Sequence, residues 1–328
     1  MTFMKTIVRP IQNTYKKLSP FGKLVLFLVL FLSVVTFFNY AQSLKKREGF
    51  SGTGTGTGTL NTNRFTFFSE NDKIYDDFYV GIYDDLVFNS VKTTYEINQI
   101  VNNTNPTSES IILDVGSGTG HHVAELAAKK FKVIGVDKSK NMVDKAKELY
   151  PKLDFQQGDI IQASMFQKEG FTHILCLYFT VYYLNTEEKG AFFANCMKWL
   201  KPGGYLVIHL VDREMFDPIL PAANPLIMLT PQRYAKERIT QSKITFDDFR
   251  YKANFVLDGT TNRAKFVENF EDKESGKVFR KNEHQFYMET VPQILSQAQS
   301  VGFIVQGKID LIKSGYEYNM LYLLVKPE

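Results

Sequence analysis

Cysteine is almost missing from this 328-residue chain. The two that occur, Cys176 and Cys196, cannot build a disulfide framework and do not have metal-ligand spacing. One lies in an apolar run and the other on a predicted helix, so both read as buried, reduced thiols. A strong charge imbalance is missing too. The net charge of +4 is small for this length and comes partly from basic residues near the N-terminus. With no basic cluster along the chain, nucleic acid is not an expected partner. Histidine is scarce, and although His121 and His122 are adjacent, no other ligand lies at suitable spacing. No metal site is expected, and the pair reads as helix-terminal or solvated. Long hydrophobic runs are also few. The prominent one, LVLFLVLFLSVVTFF from Leu24 to Phe38, is free of charge and extends with softer neighbours over 21–41 to about the length a bilayer requires. It predicts a single N-terminal membrane helix, with lipid as its partner. A cleaved signal peptide is the rival, since Ala41-Gln42-Ser43 has the small-x-small form, but the polar stretch ahead of the run is long for one.

What is present has globular composition, 44% hydrophobic and 23% charged, enough for one large α/β domain or two small ones. The repeat SGTGTGTGTL, Ser51 to Leu60, has nothing apolar to bury before its last residue and reads as a flexible tether. The expected organisation is therefore an N-terminal segment 1–48, a Gly/Thr-rich linker 49–69 and a catalytic domain 70–328. In the last, apolar runs of strand length alternate with helical periodicities, as in stacked βαβ units. Strands are expected at 110–115, 132–137, 154–157, 173–177 and 204–211, and helices near 120–130, 140–149 and 187–200. The segment 213–290 breaks this rhythm with three antiparallel strands, roofed by Phe216, Phe249, Tyr251, Phe266, Phe286 and Tyr287. A helix at 291–301 and a closing hairpin follow. The fold class is α/β, a doubly wound, mostly parallel seven-stranded sheet with an antiparallel β insertion.

The densest signal is IILDVGSGTG, residues 111–120, a buried strand running into a glycine-rich turn and then a helix. Glycines let backbone approach a ligand, and the helix start presents free N–H groups. A dinucleotide site would space its glycines G-x-G-x-x-G. Here the third comes one residue early, at Gly120, which weakens a reading as an NAD-dependent oxidoreductase.

The segment resembles the first motif of class I S-adenosylmethionine-dependent methyltransferases, through Asp114, Gly116, Ser117, Gly118 and Gly120. The resemblance extends in order over about 70–328 and implies a Rossmann-like fold with S-adenosylmethionine as cofactor. It implies that the loop holds the methionine part of the donor, that Asp137 takes the ribose hydroxyls, and that Asp159 and Ile160 meet the adenine. Lys138, Met142 and Tyr178 join the donor site by the same resemblance. Tyr75, Tyr79 and Tyr83 recur at four-residue spacing, and Tyr83 is expected over the donor on one helix face. Methyl transfer depends mainly on alignment, with a base needed only for a protonated amine or a hydroxyl. Candidates at the sheet's C-terminal edge are His209 and Asp212 at the end of the fifth strand and Tyr178, Tyr182 and Tyr183 after the fourth, with His284 reaching in from the insertion. The aromatic roof points to a small acceptor, methylated on N or O. A methyltransferase-like membrane scaffold without catalysis remains the other alternative.

The charges flanking the apolar run disagree with the donor's compartment. Lys5, Arg9, Lys16, Lys17 and Lys23 precede it and Lys45, Lys46 and Arg47 follow, which places the domain outside the cytosol. Reduced cysteines and a cytosolic donor place it inside, and a single-pass membrane protein with a cytosol-facing domain is the expectation.

Overall fold

A computed structural model describes residues 19–49, 64–224 and 231–328, with side chains of 35–49, 231 and 233 excluded. The expected tether, 51–60, lies outside the described residues. The chain divides into two compact units, Met1–Leu60 and Asn61–Glu328. The first contains α1, Pro20–Gly49, a continuous helix with no acidic residue in its first turn. Among the described residues no helix is long and apolar enough to cross a membrane, so they do not support the single membrane helix expected over 21–41. The described side chains from Phe21 to Val34 are largely exposed, Phe27 at 64% and Leu32 at 58%.

The second unit begins with β1 (Thr66–Phe68), α2 (Asn71–Ile74), α3 (Asp77–Val87) and α4 (Ser90–Thr104). There follow β2 (Ile111–Val115), α5 (His121–Ala128), β3 (Lys132–Asp137), α6 (Lys140–Leu149), β4 (Asp154–Gln157) and β5 (Phe171–Cys176). A 3-10 turn over 180–183 leads to α7 (Thr186–Trp199) and β6 (Leu200–Val211). The helix starts follow from capping side chains. Asp76, Asn89 and Ser139 each accept a backbone N–H from the first turn, and Asn185 forms a reciprocal box with Glu188.

The main sheet has seven strands in the order β11-β12-β6-β5-β2-β3-β4, where β11 is Ile304–Asp310 and β12 is Asn319–Val325. Five strands are parallel and the terminal hairpin enters antiparallel, β12 against β6. Central β2 is buried along nearly its whole length, which is why it reads as an unbroken apolar run. The α7-to-β6 junction differs from expectation. Lys201-Pro202-Gly203-Gly204 does not separate helix from strand, since β6 starts at Leu200 and absorbs the turn as a register irregularity opposite β5.

The insertion holds four strands, one more than expected: β7 (Gln241–Thr245), β8 (Phe249–Asp258), β9 (Arg263–Asp272) and β10 (Val278–Tyr287). With β1 they form a second sheet, β1-β10-β9-β8-β7. The β1 strand pairs in parallel with β10, Thr66 facing Arg280. Polar, short β7 carries a weak strand pattern, and β1 is ordered by a partner some two hundred residues away. After the insertion α8 (Val291–Ser300) returns the chain to the main sheet.

The tyrosine triplet does not share one helix. Tyr75 caps the end of α2, and Asp76 starts α3 by accepting the Tyr79 N–H, so the periodicity runs across a helix break. The three rings still meet, with centroids 5.7–6.2 Å apart.

Candidate functional site

A cavity of about 1060 Å³ opens at the C-terminal ends of β2, β3 and β5 and reaches up to β10. Gly116, Gly118 and Gly120 line or flank its base, all with positive φ (67°, 54° and 89°). Their roles differ. A Cβ on Gly116 would meet Thr180 at 2.4 Å and one on Gly120 would meet Phe155 at 2.5 Å, so these two permit close packing. At Gly118 the nearest atom would be Tyr83 Cε1 at 3.9 Å, so this glycine leaves space on the cavity side.

The acidic side chains near the loop are held differently. Asp137 accepts the Gly118 N–H at 2.9 Å and the Ser139 N–H at 2.8 Å. Burial raises its pKa, and the two backbone bonds partly oppose the rise. Asp114 is buried with Oδ2 lacking a partner among the described residues, and burial pushes it up to about 6. Ser117 Oγ is likewise buried and unpartnered. Lys138 spans Asp72 at 3.0 Å and Asp159 at 3.5 Å. Asp159 also accepts the Ile161 N–H, which shapes the loop after β4. Met142 and Ile160 line the same end. Tyr178, at φ 51°, places its ring under the Lys92 ammonium at 3.7 Å while lining the cavity.

The histidines after the glycine loop are paired with acids and neither caps the helix. His121 Nε2 lies 2.9 Å from Asp84, and His122 Nε2 lies 3.1 Å from the fully buried Glu96. Glu96 would be raised by burial, but Lys92 and His122 outweigh that and hold it at about 2.

Of the residues considered for proton transfer, Tyr178, Tyr183 and His284 line the cavity, whereas His209, Tyr182 and Asp212 do not. His209 is buried within β6 with Nε2 facing Asn319 at 3.1 Å, and burial lowers its pKa to about 4. Tyr182 is fully buried and its hydroxyl accepts the Val211 N–H. Asp212 accepts the Glu214 N–H in a turn. The pleat of β6 turns His209 into the protein, and the 3-10 turn does the same for Tyr182, directions that chain position alone does not give. His284 does line the cavity. Of the expected roof residues, Phe216, Phe266, Phe286 and Tyr287 line it. Phe249 and Tyr251 instead pack against Phe270 deeper in the second sheet.

Glu268 was not among the residues singled out from the sequence. It is 0% exposed and accepts hydrogen bonds from Tyr79, Tyr251 and Asn282 at 2.6–2.8 Å, with His284 Nε2 at 2.9 Å. Its signal was its place in the alternation Ala264, Phe266, Glu268, Phe270, a charge on the apolar face of a strand. Tyr183 completes the group, 2.9 Å from His284 Nδ1 and 2.8 Å from the Tyr75 hydroxyl.

Residues 112–204 match the family described as a methyltransferase domain. The chain is 30% identical over 137 residues to dTDP-3-amino-3,4,6-trideoxy-alpha-D-glucopyranose N,N-dimethyltransferase of Streptomyces venezuelae, covering 42% of this chain and 55% of that one. It is 29% identical over 128 residues to a ubiquinone biosynthesis O-methyltransferase of Rickettsia prowazekii, covering 38% and 49%. The chain spans about half the length of these curated relatives. Among solved structures, an S-adenosylmethionine-dependent methyltransferase from Clostridium acetobutylicum superposes with a TM-score of 0.57 at 18% identity, covering 77% of this chain and 99% of that one. A sugar N-methyltransferase from Streptoalloteichus gives 0.57 at 18% identity, covering 80% and 96%. At such identity the likeness is one of fold. The matched segment 112–204 and the sheet order give residues 61–328 the α/β fold of the class I S-adenosylmethionine-dependent methyltransferases.

Proposed function

We propose that this chain transfers a methyl group from S-adenosylmethionine to a nitrogen or oxygen of a small acceptor held beneath the inserted sheet. One observation carries the reading: a single cavity joins the glycine loop at its base to an aromatic roof from β8–β10. The residues fit the donor. Gly118 leaves backbone open to a ligand, and Asp114 Oδ2 and Ser117 Oγ are buried polar atoms without partners among the described residues. Asp84, Asp114, Asp137 and Asp159 make this end acidic, suited to a cation. Asp137 would take the ribose, Asp159 and Ile160 the adenine, Met142 and Lys138 would flank it, and Tyr83 and Tyr178 would enclose the remainder. The bound donor supplies a methyl group already activated on a positively charged sulfur. The chain's work is to align the acceptor and exclude water, through Phe179, Phe216, Phe266 and Phe286.

The acceptor class draws on the relatives, named for N,N-dimethylation of amino sugars and O-methylation in ubiquinone biosynthesis. We further propose that the apolar run 21–41, whose side chains beyond Val34 are not described, attaches the chain to a membrane with the domain facing the cytosol. Its uncharged stretch from Leu24 to Phe38 and the exposure of its described apolar side chains support this reading.

Calorimetric titration of the full chain in detergent with S-adenosylmethionine tests the donor, and transfer of labelled methyl into fractionated cell extract tests the reaction. Saturable binding and a labelled small-molecule product are expected. Absence of binding would remove the reading, whereas binding without transfer into any fraction would favour the scaffold alternative.

A further inference from the structure

Resting on the methyltransferase reading, we infer that Tyr183, His284 and Glu268 form a relay that removes the acceptor's proton during methyl transfer. The three come from separate elements: the turn after β5, strand β10 and strand β9. Tyr183 and His284 line the cavity, and Glu268 lies behind them.

The direction of the relay follows from Glu268. Burial favours its neutral form, but His284, Tyr251 and Asn282 outweigh that, and its pKa is lowered. A carboxylate accepts, so at 2.9 Å it draws the hydrogen of His284 onto Nε2. The lone pair of the neutral ring then sits on Nδ1, where the Tyr183 hydroxyl donates at 2.9 Å. Tyr183 oxygen keeps lone pairs for the acceptor and for the hydroxyl of Tyr75 at 2.8 Å. The titratable groups facing His284 are Glu268 from β9, Tyr79 from α3, Tyr183 from the turn and Tyr75 from the α2–α3 junction. Burial raises the pKa of all three tyrosines, so each stays protonated and the imidazole is the base.

The step balances. A proton leaves the acceptor N–H or O–H for Tyr183 oxygen as the Tyr183 proton passes to His284 Nδ1. The acceptor's freed electron pair bonds the methyl carbon, and the electrons of the broken carbon–sulfur bond stay on sulfur. The positive charge lost there reappears as an imidazolium 2.9 Å from Glu268. Tyr183 is the catalytic residue; His284 and Glu268 act through it, as do the base and orienting acid of other proton-transfer sites.

Nitrogen-15 NMR of the full chain labelled at histidine, with His284→Gln to assign the signal, reads the tautomer directly. Hydrogen on Nε2 and a bare Nδ1 at pH 9 are expected. Hydrogen on Nδ1, or a ring still doubly protonated at pH 9, would overturn the relay. The second measurement uses the label-accepting extract fraction as probe. His284→Gln and Tyr183→Phe should bind S-adenosylmethionine within threefold of the unaltered chain while kcat falls about 100-fold, a typical contribution of a positioned base. An unchanged kcat in either variant would overturn the proposal. Failure of the unaltered chain to bind the donor would sink the methyltransferase reading itself, whereas intact binding with the wrong tautomer sinks the relay alone.

Discussion

At the scale of single residues, the glycine loop separates two effects that a motif merges. Gly116 and Gly118 both have positive φ, and an alanine at either pays about 1–2 kcal/mol for the left-handed backbone. Gly116→Ala must also displace Thr180, whereas the new methyl at Gly118 enters only the ligand's space. The expectation is that Gly118→Ala lowers donor affinity at least tenfold with a modest fall in thermal stability, and that Gly116→Ala loses more stability. Equal donor affinity in Gly118→Ala, measured by calorimetry, would deny the loop its role.

Asp114 carries a pH signature. Its carboxyl rises from the ordinary 3.8 to about 6 in the folded state through burial. Between those values the folded chain holds a proton that the unfolded chain has lost, so this group's contribution to stability falls as pH rises through the window and is level above it. The shift corresponds to about 3 kcal/mol. Asp114→Asn should therefore match the unaltered chain near pH 4 and exceed it by up to about 3 kcal/mol above pH 6, while weakening donor binding. Urea unfolding at several pH values reads the difference, and a difference constant from pH 4 to 7 would contradict the assignment.

At the scale of elements, the sheet of βαβ units was legible because β2, β3 and β5 are short and largely apolar, and helical periods follow them. The α6 range coincided with the periodicity because Ser139 supplies a cap beside it. The segments that were misread are those whose partners are distant: β1 and β7 at the edges of the second sheet, and the break between α2 and α3. That break is held by Arg280, whose guanidinium donates to both Asp76 carboxylate oxygens at 2.7–2.8 Å and to Ile74 oxygen at 2.8 Å. It is 4% exposed and lies against Phe68 and Phe78. Arg280→Ala leaves Asp76 without its ion partner and opens a gap between sheet and helix, for a loss of about 3 kcal/mol. Because α3 carries Tyr79 and Tyr83, donor affinity should fall as well. Arg280→Lys keeps the charge but not the fork, and should recover less than half of the loss. Calorimetric melting and donor titration of both variants would check this, and full recovery by lysine would show that charge alone matters.

At the scale of the whole molecule, the compact unit begins at Asn61, and its earliest strand, Thr66–Phe68, pairs with β10. A chain starting at Asn61 should fold and bind S-adenosylmethionine within threefold of the full chain, because its sheets need nothing earlier. A chain starting at Asn71 lacks β1 and exposes the edge of β10, and should melt several degrees lower. Equal melting of the two would show that β1 contributes no stability.

The sequence by itself determined the α/β class, the succession of strands and helices along the chain and the place of the glycine loop, because these are encoded by local periodicity and by backbone conformations that few residues can adopt. Only the tertiary structure decided which polar groups share the cavity. His209, near the end of β6, and Tyr182, in the turn after β5, stand close in the chain to the sheet edge, yet both are buried, one facing Asn319 and the other accepting the Val211 N–H. Glu268, Tyr183 and Tyr75, separated by as many as 193 positions, meet through His284 because a fold can satisfy a buried carboxylate only by bringing donors to it. Spacing along a chain records what neighbours need; the company of a buried charge is settled when the sheets close.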